Sequence, residues 1–245
     1  MRTPKSIKKN TVIILFVIII TVSLYLFFNQ QRAIKIADAH VINMDKSVDR
    51  LNEIQASAKK ANLEITRWPG VDGSTITYDD IRPKKLSALI MRYTTENKQP
   101  GVIGCFLSHQ GLLKHLEAQS ASSTSAHLIL EDDAHIPADF WEQWNRFSPE
   151  VPRDWDIIQL GVTHPNLKLV DGKQYVHTHA TENGNVGAFA YVVKHGSLKK
   201  INAHLEYMSD PIDNMIRDKQ DDWKIYFAWP EICPHNDHGK STIRG

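Results

Sequence analysis

The sequence predicts an α/β fold for residues 39–245, in which strands alternate with amphipathic helices. Two observations lead to this prediction. The apolar run Leu128–Leu130 is followed directly by three consecutive residues with carboxylate side chains. This pattern is typical of the end of a strand that is buried on both faces. Earlier, residues 39–68 show a strand, helix and strand in succession, the pattern of a right-handed βαβ unit. The 245 residues suffice for one large domain of this class.

Residues 1–31 predict a short cytoplasmic tail and a membrane anchor. The run from Val12 to Phe28 has no charged residue and would form a helix about 25 Å long, near the lower limit for crossing a bilayer. Four basic residues precede it: Arg2, Lys5, Lys8 and Lys9. Basic flanks stay in the cytoplasm, so we expect a single-pass type II protein. Its catalytic part would lie in a periplasm or, in a eukaryote, in the lumen of the ER or Golgi.

A cleaved signal peptide is the alternative interpretation of this segment. Ala37-Asp38-Ala39 resembles a cleavage tripeptide. The apolar run is nevertheless longer than the about 7–15 residues of a signal core, and Arg32 and Lys35 intervene. We therefore expect an uncleaved anchor followed by a polar stem at residues 32–38.

The first βαβ unit places polar side chains where a ligand would bind. We expect a strand from Ala39 to Met44, a helix from an N-cap at Ser47 to about Asn62, and a strand over 63–68. Ligands of open α/β sheets bind beyond the carboxyl ends of the strands. Three residues near those ends are candidates to contact a nucleotide: Asn43, Arg50 and Asp72. The alternative is that they are a turn former, a helix surface charge and a turn aspartate.

Two further helices are predicted between the first βαβ unit and the acidic strand. One covers Lys84 to Tyr93, inside a polar insertion that we expect to face a second substrate. The other runs from Gly101 to Gln119 and carries Ser108 and His109 on a largely apolar helix. A buried Ser–His hydrogen bond explains that pair better than a hydrolase, because no Gly-x-Ser-x-Gly elbow surrounds the serine. Cys105 and Cys233 lack metal-ligand spacing, and buried free thiols are the favoured interpretation.

Glu131, Asp132 and Asp133 are the strongest candidates for a metal site. Crowded carboxylates raise one another's pKa unless a cation compensates. Their oxygens suit Mg²⁺ or Mn²⁺, which usually bridges to a substrate phosphate. The alternative is a solvated acidic turn. The net charge of +1 gives no indication of a nucleic-acid partner.

The sequence after the acidic strand predicts further strands, further helices and a glycine-containing turn. Gly184 and Gly187 would let the backbone approach a ligand closely. Pro211 would begin a helix carrying Asp213 in its first turn, and His235 and His238 lie in a tail that could fold back on the acidic site. The other predicted elements are a helix at 139–147, a strand at 155–161, a hairpin at 162–182 turning at 171–172, a strand at 188–193, a helix at 196–205 and a strand at 223–229.

Together these segments resemble glycosyltransferase family 25, whose members transfer sugars in lipopolysaccharide synthesis and collagen modification. The resemblance covers nearly all of 39–245. The segments that carry it are Val41-Ile42-Asn43-Met44 with Ser47 and Arg50, Val71-Asp72-Gly73, Gly104-Cys105-Phe106-Leu107-Ser108-His109, Leu128-Ile129-Leu130-Glu131-Asp132-Asp133, and Trp155-Asp156 with Leu160-Gly161.

The resemblance implies a GT-A-like fold, a Rossmann-like mixed sheet flanked by helices. It implies that residues 131–133 are the equivalent of the DxD motif. Asp132 and Asp133 would then bind Mn²⁺ or Mg²⁺ and the UDP-sugar. Asp213 would be the catalytic base, His235 or His238 a further metal ligand, and Gly184–Gly187 a loop near the donor sugar. Ser108, His109 and Glu131 would belong to the donor site.

The implied activity is inverting transfer of galactose or glucose from UDP to a glycan, lipid-linked or protein hydroxyl. Such transfer needs a cation on the leaving diphosphate and a carboxylate base for the acceptor. Two separate acidic centres provide for both. The alternatives are a metal-dependent phosphoesterase and a catalytically inactive membrane protein that binds nucleotide sugars.

Overall fold

The computed structural model describes residues 4–77, 85–86, 100–180 and 184–236. The strands within them are, in chain order, β1 (Ile36–Asn43), β2 (Thr66–Pro69), β3 (Lys85–Leu86), β4 (Ala126–Glu131), β5 (Ile157–Gln159), β6 (Leu167–Leu169), β7 (Val176–His179), β8 (Ala190–Lys194), β9 (Tyr207–Met208) and β10 (Ile225–Ala228). The α-helices are α1 (Pro4–Arg32), α2 (Val48–Lys60), α3 (Gly101–Glu117), α4 (Phe140–Phe147), α5 (Leu198–His204) and α6 (Ile212–Arg217).

Eight strands form one mixed sheet in the order β2-β1-β4-β8-β5-β10-β7-β6. β2, β1 and β4 are parallel, and β8 runs antiparallel between β4 and β5. β10 is parallel to β5, and the predicted hairpin β6–β7 closes this side of the sheet. The predicted α/β fold with a mixed sheet is therefore confirmed, and the carboxyl ends of β1 and β4 lie side by side.

β4 is apolar without interruption because both of its faces are covered. Leu128 and Leu130 pack into the layer that contains α2 and α4, and Ile129 packs into the layer with α3 and α5. All three side chains are fully buried. A strand buried on both faces cannot alternate polar and apolar residues, so its polar groups are displaced to its end. This places the carboxylates of residues 131–133 at the edge of the sheet.

The stem and the insertion after β2 differ from the sequence-based prediction. The polar stem predicted at 32–38 is shorter, because Ile34 is buried and β1 begins at Ile36. Trp144 of α4 donates its indole N–H to the Ile34 carbonyl at 2.8 Å, which fixes this segment against the domain. The helix predicted at Lys84–Tyr93 does not begin there, because β3 at Lys85–Leu86 pairs with β9; residues 87–93 lie outside the described residues.

The predicted membrane anchor falls in α1, a helix of 29 residues whose described apolar side chains are exposed. Among the residues that the structure describes, no helix is both long and apolar enough to cross a membrane. The anchor predicted for residues 1–31 is thus not supported by the structure.

Candidate functional site

The three carboxylates lie where the sequence predicts them, at the carboxyl end of β4 beside that of β1. Glu131 is the last residue of β4, and Asp132 and Asp133 form the turn that follows. Ile42 of β1 is in register with Glu131. Residues that end β1 therefore reach the carboxylates directly.

Asp132 is held by two of the predicted nucleotide-binding residues. Asn43 donates its side-chain amide to Asp132 Oδ2 at 2.7 Å and to the Ser47 carbonyl at 2.9 Å. Arg50, on the first turn of α2, lies 2.6 Å from Asp132 Oδ1. Both oxygens of Asp132 thus have protein partners. Ser47 is the N-cap residue of α2, as predicted, although its hydroxyl makes no capping hydrogen bond to the helix.

Asp133 differs from Asp132 in keeping one oxygen unpaired. Its Oδ2 lies 2.6 Å from the Arg50 guanidinium and 3.5 Å from His235 Nε2. Its Oδ1 is buried and has no hydrogen-bond partner among the described residues. A buried carboxylate oxygen without a partner is costly. Together with the imidazole nitrogen it supplies the donor types that Mn²⁺ accepts, so these residues fit the divalent ion that the resemblance implies.

The tail folds back on the acidic turn, as the sequence suggested. Ala134 and His235 form an antiparallel bridge, and the Asn236 N–H donates to the Asp133 carbonyl at 2.7 Å. Phe189 packs edge-on against the His235 ring. His235 is thereby placed beside the carboxylates, whereas His238 lies outside the described residues.

Glu131 belongs to a buried chain of hydrogen bonds. His109 Nε2 lies 3.1 Å from Glu131 Oε1, and His109 Nδ1 lies 3.0 Å from the Tyr191 hydroxyl. The Cys105 thiol lies 3.8 Å from the same Glu131 oxygen. Cys105 and His109 are four residues apart on α3, the spacing of neighbours on one helix face. The pair was therefore visible in the sequence, although its contact with Glu131 was not.

The carboxylates of this site have opposite pKa shifts. Burial raises the pKa of Asp132 and of Asp133, against the opposing charge of Arg50, and the charge of Glu131 raises both further. Burial also acts on Glu131, but the hydrogen bond and charge of His109 outweigh it and lower the pKa of Glu131. The charge of Glu131 thus disfavours ionisation of Asp132 and Asp133, and a cation would relieve that repulsion.

A cavity of about 280 Å³ opens beside this turn and has the position of a nucleotide site. It lies between the end of β1, the loop after β2 and the start of α3. Among its lining residues are Asn43, Asp72, Ser108, His109, Glu131 and Asp132. All six are predicted donor-site residues.

Ser108 and Asp72 shape the cavity wall. The Val71 N–H donates to the Ser108 hydroxyl at 2.8 Å, and that hydroxyl donates to the Gly104 carbonyl at 2.6 Å. Asp72 accepts the Ser74 N–H at 3.0 Å and lies 2.5 Å from Lys46 Nζ. The favoured Ser108–His109 hydrogen bond is wrong, because each residue has other partners, and Ser108 fastens the loop after β2 to α3.

The glycine loop at 184–187 packs on a neighbouring loop. Gly184 and Gly187 have φ values of +95° and +126°, which require glycine. Between them, Asn185 is buried and its side chain bonds the backbone of Asn166 in both directions, at 2.7 and 3.0 Å. Phe189, whose carbonyl accepts the Glu131 N–H, lies two residues after Gly187. The loop thus leads directly to the acidic turn.

Asp213 is the second residue of α6, and its charge reaches the same centre. Burial raises the pKa of Asp213, and the negative charge of Glu131 raises it further. The Asn214 N–H donates to the Asp213 carboxylate at 2.9 Å and opposes this shift, but burial outweighs that hydrogen bond. Pro211 precedes the helix instead of lying in its first turn.

Comparison with known proteins identifies the family. A family model described as glycosyltransferase family 25 (LPS biosynthesis protein) matches residues 36–216. A glycosyltransferase 25 family member of Aedes aegypti is 26% identical over 51% of this chain and 21% of that protein. Human procollagen galactosyltransferase 2 is 22% identical over 52% of this chain and 21% of that protein.

One further relative carries a different description. The mouse inactive glycosyltransferase 25 family member 3 is 22% identical over 79% of this chain and 34% of that protein. The chain therefore spans between about a fifth and a third of the length of these relatives. Since the family model covers more than half of the 245 residues, the chain belongs to glycosyltransferase family 25.

Proposed function

We propose that this protein is a metal-dependent, inverting glycosyltransferase that moves galactose or glucose from a UDP-sugar to a hydroxyl of a glycan, lipid-linked or protein acceptor. The observation that carries the proposal is the buried Oδ1 of Asp133, which has no hydrogen-bond partner within the described part of the chain and lies next to a cavity of nucleotide-site position. Family membership and the similarity to a procollagen galactosyltransferase support it.

Asp133 and His235 would hold the divalent ion. Asp132 would keep its hydrogen bond from Asn43 and its ion pair with Arg50. When bound, the ion supplies Lewis-acid neutralisation of the leaving diphosphate. The uridine end of the donor would occupy the cavity beside Asp72.

Asp213 would accept the proton of the acceptor hydroxyl as that oxygen attacks the sugar. Its raised pKa makes it a stronger base than a solvated aspartate, because burial disfavours its ionised form. Inversion needs one in-line displacement, so this role requires a base and no covalent nucleophile on the enzyme. A base separate from the metal ligands fits this division of labour.

A second candidate function follows from the relatives described as inactive. It is nucleotide-sugar binding without turnover. The two candidates share the metal and nucleotide site and differ only in whether an acceptor proton is removed. A phosphoesterase, the third interpretation, would release phosphate without an acceptor.

The test uses the purified full chain with a panel of UDP-hexoses and Mn²⁺, with and without a chelator. Slow metal-dependent hydrolysis of one UDP-hexose to UDP and free sugar, accelerated by added acceptors, supports the glycosyltransferase. Tight binding of UDP, together with no formation of UDP from any UDP-hexose under any condition, favours the inactive alternative. Release of inorganic phosphate from simple esters favours the phosphoesterase.

We also propose that residues 1–31 anchor the protein as a single-pass type II membrane protein, with residues 39–245 in a periplasm or an ER or Golgi lumen. The support is the basic flank before the uncharged run from Val12 to Phe28. In sealed vesicles, protease added from the cytoplasmic side should leave the C-terminal part intact. Its digestion there refutes this orientation.

A further inference from the structure

A cluster of three different metal-binding side chains lies beside the acidic turn but uses none of the atoms assigned above to the catalytic ion. Cys105 Sγ lies 3.8 Å and His109 Nε2 lies 3.1 Å from Glu131 Oε1. One donor atom from each residue falls within 4.8 Å of the others, which is close enough for a single ion to contact all three. We propose that Cys105, His109 and Glu131 form a second metal site at the wall of the nucleotide cavity, which takes a thiophilic divalent ion such as Zn²⁺.

The donor set separates this site from the one that would hold Mn²⁺. A thiolate, an imidazole and a carboxylate are ligands that Zn²⁺ binds at about 2.0–2.3 Å, usually with tetrahedral geometry. Asp133 offers a carboxylate oxygen, which suits the harder Mn²⁺. Three protein ligands leave the fourth position of a tetrahedral ion to water or to a ligand in the cavity.

Tyr191 supplies the outer support that a ligating histidine needs. Its hydroxyl lies 3.0 Å from His109 Nδ1 and can either donate to that nitrogen or accept from it. When Nε2 binds an ion, Nδ1 carries the ring proton and donates a hydrogen bond to the tyrosine hydroxyl oxygen. Such partners fix the tautomer and orientation of metal-binding histidines. Tyr191 is buried in the core, so this orientation does not depend on solvent.

The electric field at the cluster favours a cation. Glu131, Asp213 and Asp133 all place negative charge near Cys105. Binding forms a metal–sulfur bond and releases the thiol proton to solvent, with no change in oxidation state. Affinity is therefore expected to rise with pH.

Occupation of this site has a consequence for the nucleotide cavity. All three ligands are among the residues that line it. An ion on Cys105, Glu131 and His109 would place positive charge and an open coordination position at the cavity wall. A contact between that position and the UDP-sugar rests on the proposed function, whereas the metal site itself does not.

Co²⁺ provides the direct test, because a cobalt–thiolate bond gives a charge-transfer band in the near ultraviolet. The purified, reduced full chain titrated with Co²⁺ should develop this band at one equivalent, and Zn²⁺ should abolish it. Cys105→Ser should remove the band and weaken Co²⁺ binding by more than about 100-fold, since even outer partners contribute about 10–100-fold. Tyr191→Phe should keep the band and weaken binding about 10-fold.

Two matched controls assign the band. The sequence contains two cysteines, and Cys233→Ala leaves Cys105 as the sole thiol. Cys233→Ala and Asp133→Asn should both retain the band. Because the first variant carries the assignment by itself, the test holds even if Cys105→Ser folds poorly.

Absence of the band in the reduced wild-type protein overturns the site, as does its persistence in Cys105→Ser or its loss in Cys233→Ala. Saturating UDP should shift the Co²⁺ band by entering the open coordination position, and an unchanged spectrum refutes that contact with the nucleotide. A band in a protein that transfers no sugar would refute the proposed function and leave this site standing. Sugar transfer without a band would do the reverse.

Discussion

Strands β1 and β4 carry carboxylates near both of their ends, and the two ends are built differently. At the amino ends, Asp38 Oδ1 lies 2.8 Å from His127 Nδ1 and 3.1 Å from His40 Nε2, and His127 Nε2 lies 3.1 Å from His195 Nδ1. At the carboxyl ends, Asp133 keeps a buried oxygen without a described partner. One end has its charges paired, and the other keeps binding capacity.

The pKa values record the same difference. At the amino ends, burial acts to raise the pKa of Asp38, but the hydrogen bonds of His127 and His40 outweigh it and hold the pKa well below its usual range. At the carboxyl ends, burial and the charge of Glu131 leave the pKa values of Asp132 and Asp133 raised. A raised carboxyl pKa costs stability at neutral pH. Of the two ends, only the carboxyl ends of β1 and β4 carry this loss of stability, and there a bound cation can offset it.

The largest expected effect comes from removing the carboxylate with the unpaired oxygen. Asp133→Ala should reduce Mn²⁺-dependent UDP affinity by about 10³-fold or more, because a bound ion contributes several kcal/mol against diphosphate charge. Calorimetry with and without Mn²⁺ measures this. Asp38→Asn, at the opposite end of the same strands, is the matched control and should bind as wild type. Wild-type affinity in a folded Asp133→Ala protein would move the metal elsewhere.

Asp213→Asn should leave metal and UDP affinity nearly unchanged and lower kcat by about 10²–10⁴-fold, because the amide cannot accept the acceptor proton. Steady-state kinetics with an identified acceptor measure it. Since the pKa of Asp213 is raised, the acidic limb of the wild-type kcat profile should lie above the ordinary pKa of 3.8. Near-normal kcat would remove Asp213 from the mechanism and direct attention to Asp210, Asp221 and Asp222.

Asp38→Asn should reduce the free energy of unfolding by about 1–3 kcal/mol, because His127 is fully buried and loses a charged hydrogen-bond partner. Denaturant unfolding at pH 7 measures this change. A stability equal to that of the wild type would show that the histidine cluster is no more than a surface ion pair, and the contrast between the two ends would fail.

Asp133→Asn should have the smallest effect and the opposite sign, raising metal-free stability at pH 7 by about 0.5–1 kcal/mol. A carboxyl group whose folded pKa is raised binds more protons in the folded state, so stability falls as pH rises above about 3.8. The variant should flatten that fall, whereas Asp38 contributes stability above the same pH. Unfolding curves without metal test the sign for Asp133 between about pH 4 and 7 and the sign for Asp38 below about pH 4, and a destabilised Asp133→Asn protein contradicts the comparison.

Features that are local in the sequence were predictable. The end of β4 was visible because three apolar residues meet three carboxylates there, and the β6–β7 hairpin because Asp171-Gly172 marks its turn. The role of Asp213 as catalytic base came from the family resemblance and stays a prediction. These predictions needed no knowledge of contacts between distant segments.

The rest depends on pairing between distant parts of the chain. The clasp of Arg50 on Asp132 and Asp133, the bonds between Asn185 and Asn166, and the Ser108 bridge arise only when the sheet assembles. Propensity and periodicity do not encode such contacts. The raised pKa of Asp213 was missed for the same reason, since its burial comes from tertiary packing and not from its helix.

The place of β8 between β4 and β5 has a consequence for synthesis on the ribosome. β4 emerges with one edge paired to β1, but its other edge waits for β8, which is made only after β5 and the β6–β7 hairpin. An apolar strand with an open edge is prone to wrong pairing while it waits. His235 arrives later still, bridging to Ala134. Nascent chains should therefore depend on chaperones until the segment from β8 to His235 has left the ribosome, and the acidic turn becomes complete only then.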